Sequence, residues 1–312
     1  MEPLAKINVL IVTYKHANVI ARTLESILCQ RQHGLGEIII CDDCSPDNNW
    51  EIISHYVSKF PEIIKAYRNE NNLGIYGNSD KLVTLRGDAD LYCWLEGDDA
   101  LCDGFFESIQ KNVSELKLDF SQAFGLCGNW KTITPNGNEY VNSNSSVAVA
   151  TLTPVSMYLR GLATWRGSVF SAPVLDKFTT TILDQGLNLA ETLFDAQFFK
   201  YSDKLYYSDF VGTIYYSEMG ISTTLGQNSS YRNQETLMKA KYMIEHYGLD
   251  RKDTMWWKYI LYRTENKISP SIAHSFKALF YYIKGVYRGP GCLNNKLRRY
   301  VTPIIKDLLK IK

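Results

Sequence analysis

Leu91-Tyr92-Cys93-Trp94-Leu95-Glu96-Gly97-Asp98-Asp99 reads as a short apolar strand that stops abruptly on acids. Five apolar residues in a row suit a strand covered on both faces, as in a parallel sheet. The same design recurs upstream. Ile7-Asn8-Val9-Leu10-Ile11-Val12-Thr13-Tyr14 is a near-continuous β-branched run, and Glu37-Ile38-Ile39-Ile40-Cys41 ends at Asp42-Asp43. Ile63-Ile64-Lys65-Ala66-Tyr67 is a third, shorter case. Between the runs, residues 18–30 place Val19, Ile20, Leu24, Ile27 and Leu28 on one helical stripe. Ser45-Pro46-Asp47 has the layout of a helix start, and the turn Asn71-Asn72-Leu73-Gly74 leads into a helix near 76–86. This βαβαβαβ rhythm with short links predicts an α/β fold with a doubly wound, mostly parallel sheet flanked by helices.

Beyond about residue 130 the pattern loosens. Residues 134–146 read as a polar loop, Gly167-Ser168-Val169-Phe170 as a strand and 187–201 as a helix. Tyr206-Tyr207 and Ile214-Tyr215-Tyr216 read as further strands, 221–230 as a flexible loop, and everything from 231 as helix. The expected organisation is therefore 1–220 as the α/β domain, split near 130, with 221–312 as a helical C-terminal extension.

The 312 residues carry a net charge of only +1, with 45% hydrophobic and 21% charged residues, which excludes wholesale disorder and argues against a nucleic-acid binder. The total hides an asymmetry. Residues 251–312 hold 14 Lys+Arg and 3 Asp+Glu, leaving 1–250 acidic. Seven cysteines, an odd number, sit largely inside apolar runs and suit a reducing compartment. Cys41-x-x-Cys44 has neither a second such pair nor a histidine at ligand spacing, so it reads as structural. There is no signal-peptide layout and no apolar run long enough to span a bilayer. The expectation is a cytoplasmic protein, unless it is held peripherally on the cytoplasmic face of the inner membrane.

Ligands of open α/β sheets bind at the carboxyl ends of the strands. Those ends here are Thr13-Tyr14, Asp42-Asp43 and Glu96-Gly97-Asp98-Asp99. No GxGxxG follows the first strand and no GxxxxGK[ST] exists, which disfavours dinucleotide enzymes and P-loop NTPases. Acids at the rim suit a nucleotide whose diphosphate charge is carried by Mg²⁺ or Mn²⁺.

Val9–Tyr14, Ile38–Asp47, Asn71–Gly74 and Trp94–Asp99, in this order and spacing, resemble the motifs of family 2 glycosyltransferases of GT-A fold, with a Rossmann-like sheet. The likeness is tight over residues 7–130 and looser to about 220. It implies a nucleotide-binding half (1–130) and an acceptor half (131–220). By this resemblance Thr13 and Tyr14 line the nucleoside pocket, and Asp43, with Asp42 beside it, reads the base or ribose of a UDP-sugar. Asn72, Gly74 and Asn78 flank the nucleotide. Glu96, Gly97, Asp98 and Asp99 form the DxD-type metal and diphosphate motif. Glu191 falls at the general-base position of an inverting enzyme, with Asp195 as a weaker alternative. The family's Arg-x-His stretch is replaced by Tyr216-Ser217-Glu218-Met219-Gly220. Glu218 is then a metal ligand in its place, and leaving-group stabilisation rests on the cation and on Arg166, Arg160 or the 221–232 loop. His16, His33, His55, His246 and His274 show no ligand spacing and read as ordinary histidines.

The tail adds its own signal. Ile272, Phe276, Leu279, Phe280, Ile283 and Tyr287 align on one helical face, and 295–310 repeat the design among basic residues. Such helices lie on an anionic membrane surface or pack on the body or another subunit, and a homo-oligomer stays open. The activity implied is hexosyltransferase-type transfer from a nucleotide-sugar donor to a glycan or lipid-linked acceptor in bacterial surface polysaccharide (O-antigen, capsule or LPS) synthesis. The rivals are a nucleotidyltransferase-like enzyme and an inert nucleotide- or sugar-binding scaffold.

Overall fold

The computed structural model describes residues 3–142, 153–159, 164–180, 191–217 and 229–286, with the side chains of 191–194, 229, 285 and 286 outside that description. The chain divides into two compact units. One is Met1–Gly186 with Phe194–Gly220, the other Leu187–Leu193 with Ile221–Lys312.

In the first unit β1 (Ile7–Thr13) is the central strand, buried along its whole length. It pairs in parallel with β2 (Leu35–Asp42) on one side and β4 (Leu91–Glu96) on the other, and β3 (Ile64–Arg68) extends the sheet beyond β2. Alternate residues Ile7, Val9 and Ile11 join Ile20, Leu24 and Ile27 of α1 (Ile20–Leu28) and Phe105, Phe106 and Ile109 of α4 (Phe105–Leu116) in one core. Each such fully buried side chain contributes roughly 1.5–3 kcal/mol. α2 (Asn49–Lys59) and α3 (Gly74–Thr84) link the first four strands as the sequence rhythm predicts.

Among the described residues the sheet has nine strands, in the order β3-β2-β1-β4-β8-β6-β9-β5 with β7 paired to β6. β8 (Val169–Ser171) runs antiparallel between β4 and β6 (Phe124–Ile133), and β5 (Ala100–Leu101) runs antiparallel to β9 (Lys204–Tyr216). The sheet is thus the expected parallel-dominated, Rossmann-like one, with an antiparallel strand where it changes character.

Three local expectations differ from the structure. β9 is one 13-residue strand, not two short ones. Its middle carries Gly212, where a Cβ would come within 2.5 Å of the Gly167 Cα, so close backbone approach interrupts the apolar alternation. β7 (Glu139–Asn142) forms a hairpin with β6 inside the polar stretch, pinned by Lys131–Glu139 at 3.0 Å and by Asn142 donating to Thr132. It buries little, so it leaves no hydrophobic signature. Finally, α2 starts at Asn49, because Ser45 and Asp47 are engaged elsewhere.

The second unit contains the helices Ser229–His246, Arg251–Ile268 and Ile272–Val286. The second of these is capped by Asp250, which accepts from the Asp253 N–H at 2.8 Å. Tyr259 is buried against Ala278 and Tyr282 of the third. Among the described residues no helix is long and apolar enough to cross a membrane. The expected 221–230 loop falls outside the described residues except for its last two, and the expected 295–310 helix lies outside them altogether.

Candidate active site

Register decides which side chains meet. Thr13 at the end of β1 is opposite Asp42 on β2, and Val12 is opposite Glu96 on β4. The pairing continues past the strands: the Asp43 N–H donates to Thr13 O at 3.0 Å and the Gly97 N–H to Val12 O at 2.9 Å. Three adjacent strands therefore finish at one rim. With strands about 4.8 Å apart, the Asp43 and Gly97 backbones sit on the order of 10 Å from each other across β1.

On the β4 side, Glu96, Asp98 and Asp99 each offer a carboxylate oxygen, all within 4.8 Å of one another. Arg166 pairs with Glu96 at 2.9 Å and lies 3.6 Å from Asp99. Its guanidinium is held between the rings of Trp165 (4.4 Å) and Tyr215 (4.5 Å). Asp99 is only 2% exposed. Burial, and then the Glu96 charge, push its carboxyl well above the ordinary range, while Arg166 pulls the other way. Arg22 donates to the Asp98 backbone O at 2.6 Å and stacks on Tyr216, while the Tyr216 N–H donates to Asp99 at 3.3 Å. Gly97 is required by space. A Cβ there would lie 2.7 Å from both Thr13 Oγ1 and His16 Nδ1.

The donor set fits a hard divalent cation. The ligand atoms are all carboxylate oxygens, and one belongs to a buried acid whose ionised form is costly until a cation compensates it.

On the β2 side the two neighbouring aspartates have different employment. Asp42, fully buried, accepts from Ser45 Oγ (2.6 Å) and Asn49 Nδ2 (2.7 Å) through Oδ1. Its Oδ2 accepts from the Ser45 N–H (3.1 Å) and lies 3.5 Å from Arg68. Asp42, expected beside the nucleotide, braces the turn after β2. Asp43 Oδ1 accepts from Asn69 Nδ2 and from the Leu73 N–H, both at 2.8 Å. Asn69 also donates to Asn78 at 2.9 Å, and Asn78 donates to Cys41 O at 3.0 Å, so Asn78 is a buried strut. Asn72 is exposed. Its Nδ2 donates to Asp43 O and its Oδ1 accepts from Gly74 N–H, whose φ of +71° favours glycine.

Thr13 is also spent internally: its hydroxyl accepts from Asn49 Nδ2 at 3.1 Å and lies 3.2 Å from His16 Nδ1. Tyr14 is half-buried at the rim, with the Lys15 ammonium 5.0 Å from its ring centre. Lys15 (φ +60°) and Cys44 (φ +57°) both adopt left-handed backbone just after a strand end, which turns the chain back across the rim. Burial pushes the Cys41 thiol up to about 11, as expected of a structural cysteine.

His16, expected to be an ordinary histidine, lies at the rim. The turn at Lys15 brings it over the rim, with Nε2 3.9 Å from Asp98. Burial lowers its pKa against the pull of Asp98. Asn49, Asn69 and Arg22 were likewise not legible, because each acts through a backbone or side chain far away in sequence. Glu191 opens the helix Glu191–Lys200, but its side chain is outside the described residues, as are Glu218 and Arg160. Asp195 is buried and accepts from the Tyr158 hydroxyl at 3.2 Å.

The first 349 residues of Staphylococcus aureus TarS, solved with UDP-GlcNAc, have a similar fold. The TM-score is 0.59 at 15% identity over 97% of this chain and 88% of that one. GalNAc-T7 with UDP, GalNAc and Mn²⁺ gives a TM-score of 0.51 at 14% identity, over 91% and 57% of the two chains. The architecture is therefore GT-A. Residues 8–155 match the family described as glycosyl transferase family 2. The uncharacterized proteins Rv1520 of Mycobacterium tuberculosis (strain ATCC 25618 / H37Rv) and Mb1547 of Mycobacterium bovis are 31% identical over 93 residues. That match covers 30% of this chain and 26%, about a quarter, of theirs.

Proposed function

We propose that the protein is a metal-dependent, inverting glycosyltransferase moving a sugar from a UDP-type donor to a hydroxyl of a glycan acceptor. The observation that carries this reading is the acidic triad at the end of β4, on the same rim as Asp43 at the end of β2. UDP-GlcNAc and UDP with Mn²⁺ are the molecules held by TarS and GalNAc-T7, and they support the choice of donor and cation class.

Asp43 is assigned to the donor's base or ribose through Oδ2, since Oδ1 organises the Asn69–Leu73 loop. Tyr14 walls the nucleoside, and Asn72 and Gly74 border it. Glu96, Asp98 and Asp99 would hold Mn²⁺ or Mg²⁺. Glu218, which stands where the family's Arg-x-His stretch would fall, is a candidate further ligand. A bound divalent cation supplies Lewis-acid stabilisation of the diphosphate as it leaves. Arg166, clamped by two rings, keeps positive charge at the triad where the family's Arg-x-His is missing.

Glu191 is assigned as general base, with Asp195 the weaker alternative. It takes the proton of the acceptor hydroxyl as that oxygen bonds to the anomeric carbon, the bond to the diphosphate breaks on the opposite face, and the configuration inverts. A helix N-terminus favours the ionised carboxylate, so an acceptor site that excludes water is needed to raise its basicity. The acceptor class we assign is a lipid-linked glycan of a bacterial surface polysaccharide, reached from the cytoplasmic face of the membrane by 1–220, with 221–312 as the basic extension.

The test is UDP release from a panel of UDP-sugars with an acceptor glycan, with and without EDTA. Metal-dependent release is expected, and Glu191→Ala should retain UDP binding while losing transfer. Release that ignores EDTA, or full transfer by Glu191→Ala, contradicts the assignment.

A further inference from the structure

The helix Ile272–Val286 carries two apolar faces, and the second unit uses one of them. Ser275, Ala278 and Tyr282 are buried, the latter two against Tyr259. Elsewhere on the helix, Ile272, Phe276, Phe280 and Ile283 are 56%, 60%, 50% and 50% exposed. Their spacing puts them on one stripe about 80° wide at 100° per residue. Of the eleven large hydrophobics exposed among the described residues, five lie between Ile268 and Ile283. Scattered exposed apolar residues are ordinary; a contiguous patch marks an interaction surface.

Charge indicates what covers it. The helix holds Lys277 and Lys284, both exposed, and no acid. The Lys284 ammonium lies 4.7 Å from the Phe280 ring centre, so a cation borders the apolar stripe. The surrounding segment 251–312 holds 14 Lys+Arg against 3 Asp+Glu. Fifteen residues rise about 22 Å, short of the roughly 30 Å hydrocarbon core, so this helix fits in a bilayer's surface plane and not across it.

We propose that the Ile272–Val286 helix docks on an anionic lipid bilayer. Ile272, Phe276, Phe280 and Ile283 enter the headgroup–acyl boundary, and Lys277 and Lys284 lie among the lipid phosphates. The proposal goes beyond the donor reading and does not depend on it.

Full-length protein is co-sedimented with phosphatidylcholine vesicles containing or lacking phosphatidylglycerol, in the absence of nucleotide. Binding to the anionic vesicles is expected. Phe276→Asp combined with Phe280→Asp should lower the bound-to-free ratio at least about tenfold. Lys277→Gln with Lys284→Gln should lower it several-fold and flatten its salt dependence. Leu116→Asp, at an exposed apolar position in the first unit, should leave it unchanged, and melting by circular dichroism reports that each variant is folded. Wild-type protein that ignores anionic vesicles overturns the proposal. So does a folded Phe276/Phe280 variant that binds them normally, including one that only shifts from dimer to monomer in sedimentation velocity. Because no nucleotide is present, failure here is distinct from failure of the donor assignment.

Discussion

The rim of the parallel sheet and the exposed face of the Ile272–Val286 helix spend their residues in opposite ways. At the rim, acids and amides are taken out of water and tied into networks. On the helix, Phe and Ile side chains are left in water. Both arrangements are costly for folding alone, since buried carboxylates need compensation and apolar surface is better buried. On the two proposals made above, a ligand completes each: a cation and a diphosphate in one case, lipid in the other. The rim also contains a sharper contrast within itself. Asp42 and Asp43 are neighbours in sequence, yet Asp42 is consumed by the turn while Asp43 retains an oxygen assigned to the donor.

Breaking that contrast gives the largest expected effect. Asp98→Ala should reduce sugar transfer by about 10²–10³-fold, because Asp98 is one of the three clustered carboxylates assigned to the cation. Steady-state kinetics reads the loss. Asp42→Ala should act on stability instead. Removing the acceptor of the Ser45 and Asn49 hydrogen bonds should cost about 2–3 kcal/mol of stability, measured by urea unfolding, since several buried donors lose their partner. Any fall in activity should follow the folded fraction.

A smaller effect separates site chemistry from folding through pH. The folded state holds the Asp99 proton above the pH at which the unfolded chain releases it. Without a divalent cation, stability therefore falls as pH rises from about 4 toward the raised folded value, and levels off above it. Asp99→Asn removes this slope. It should melt above wild type at neutral pH in EDTA, with the gap closing toward pH 4, and Mn²⁺ should raise the melting temperature of wild type more than that of the variant. A gap that widens as pH falls contradicts the account.

Much of this was legible in the sequence, for a physical reason. Strands buried on both faces, such as Ile7–Thr13 and Leu91–Glu96, must be continuously apolar, and their ends show as sudden acids. The candidate rim was therefore visible in the sequence through Asp43, Glu96, Asp98 and Asp99, which the structure brings to the ends of adjacent strands. What was hidden depends on long-range packing. Ser45 and Asp47 look like helix caps, yet Ser45 bonds Asp42 and the Lys15 N–H, and Asp47 accepts from the Ala17 N–H. His16 reaches Asp98 because Lys15 turns left-handed, and no spacing rule marks that. The signal available was positional: a histidine three residues past the end of the central strand lies at the ligand rim. β9 stayed hidden because Ser208-Asp209 and then Gly212, where two backbones nearly touch, interrupt its apolar pattern.

The central claim is that carboxylates from separate strands converge to hold a cation on a nucleotide diphosphate. Calorimetric titration of UDP into the full-length protein, with Mn²⁺ and then with EDTA, tests it most directly. UDP should bind at least about tenfold more tightly with Mn²⁺, and Asp98→Ala should abolish that difference. Equal affinity in Mn²⁺ and EDTA, or an undiminished Mn²⁺ effect in Asp98→Ala, would contradict it.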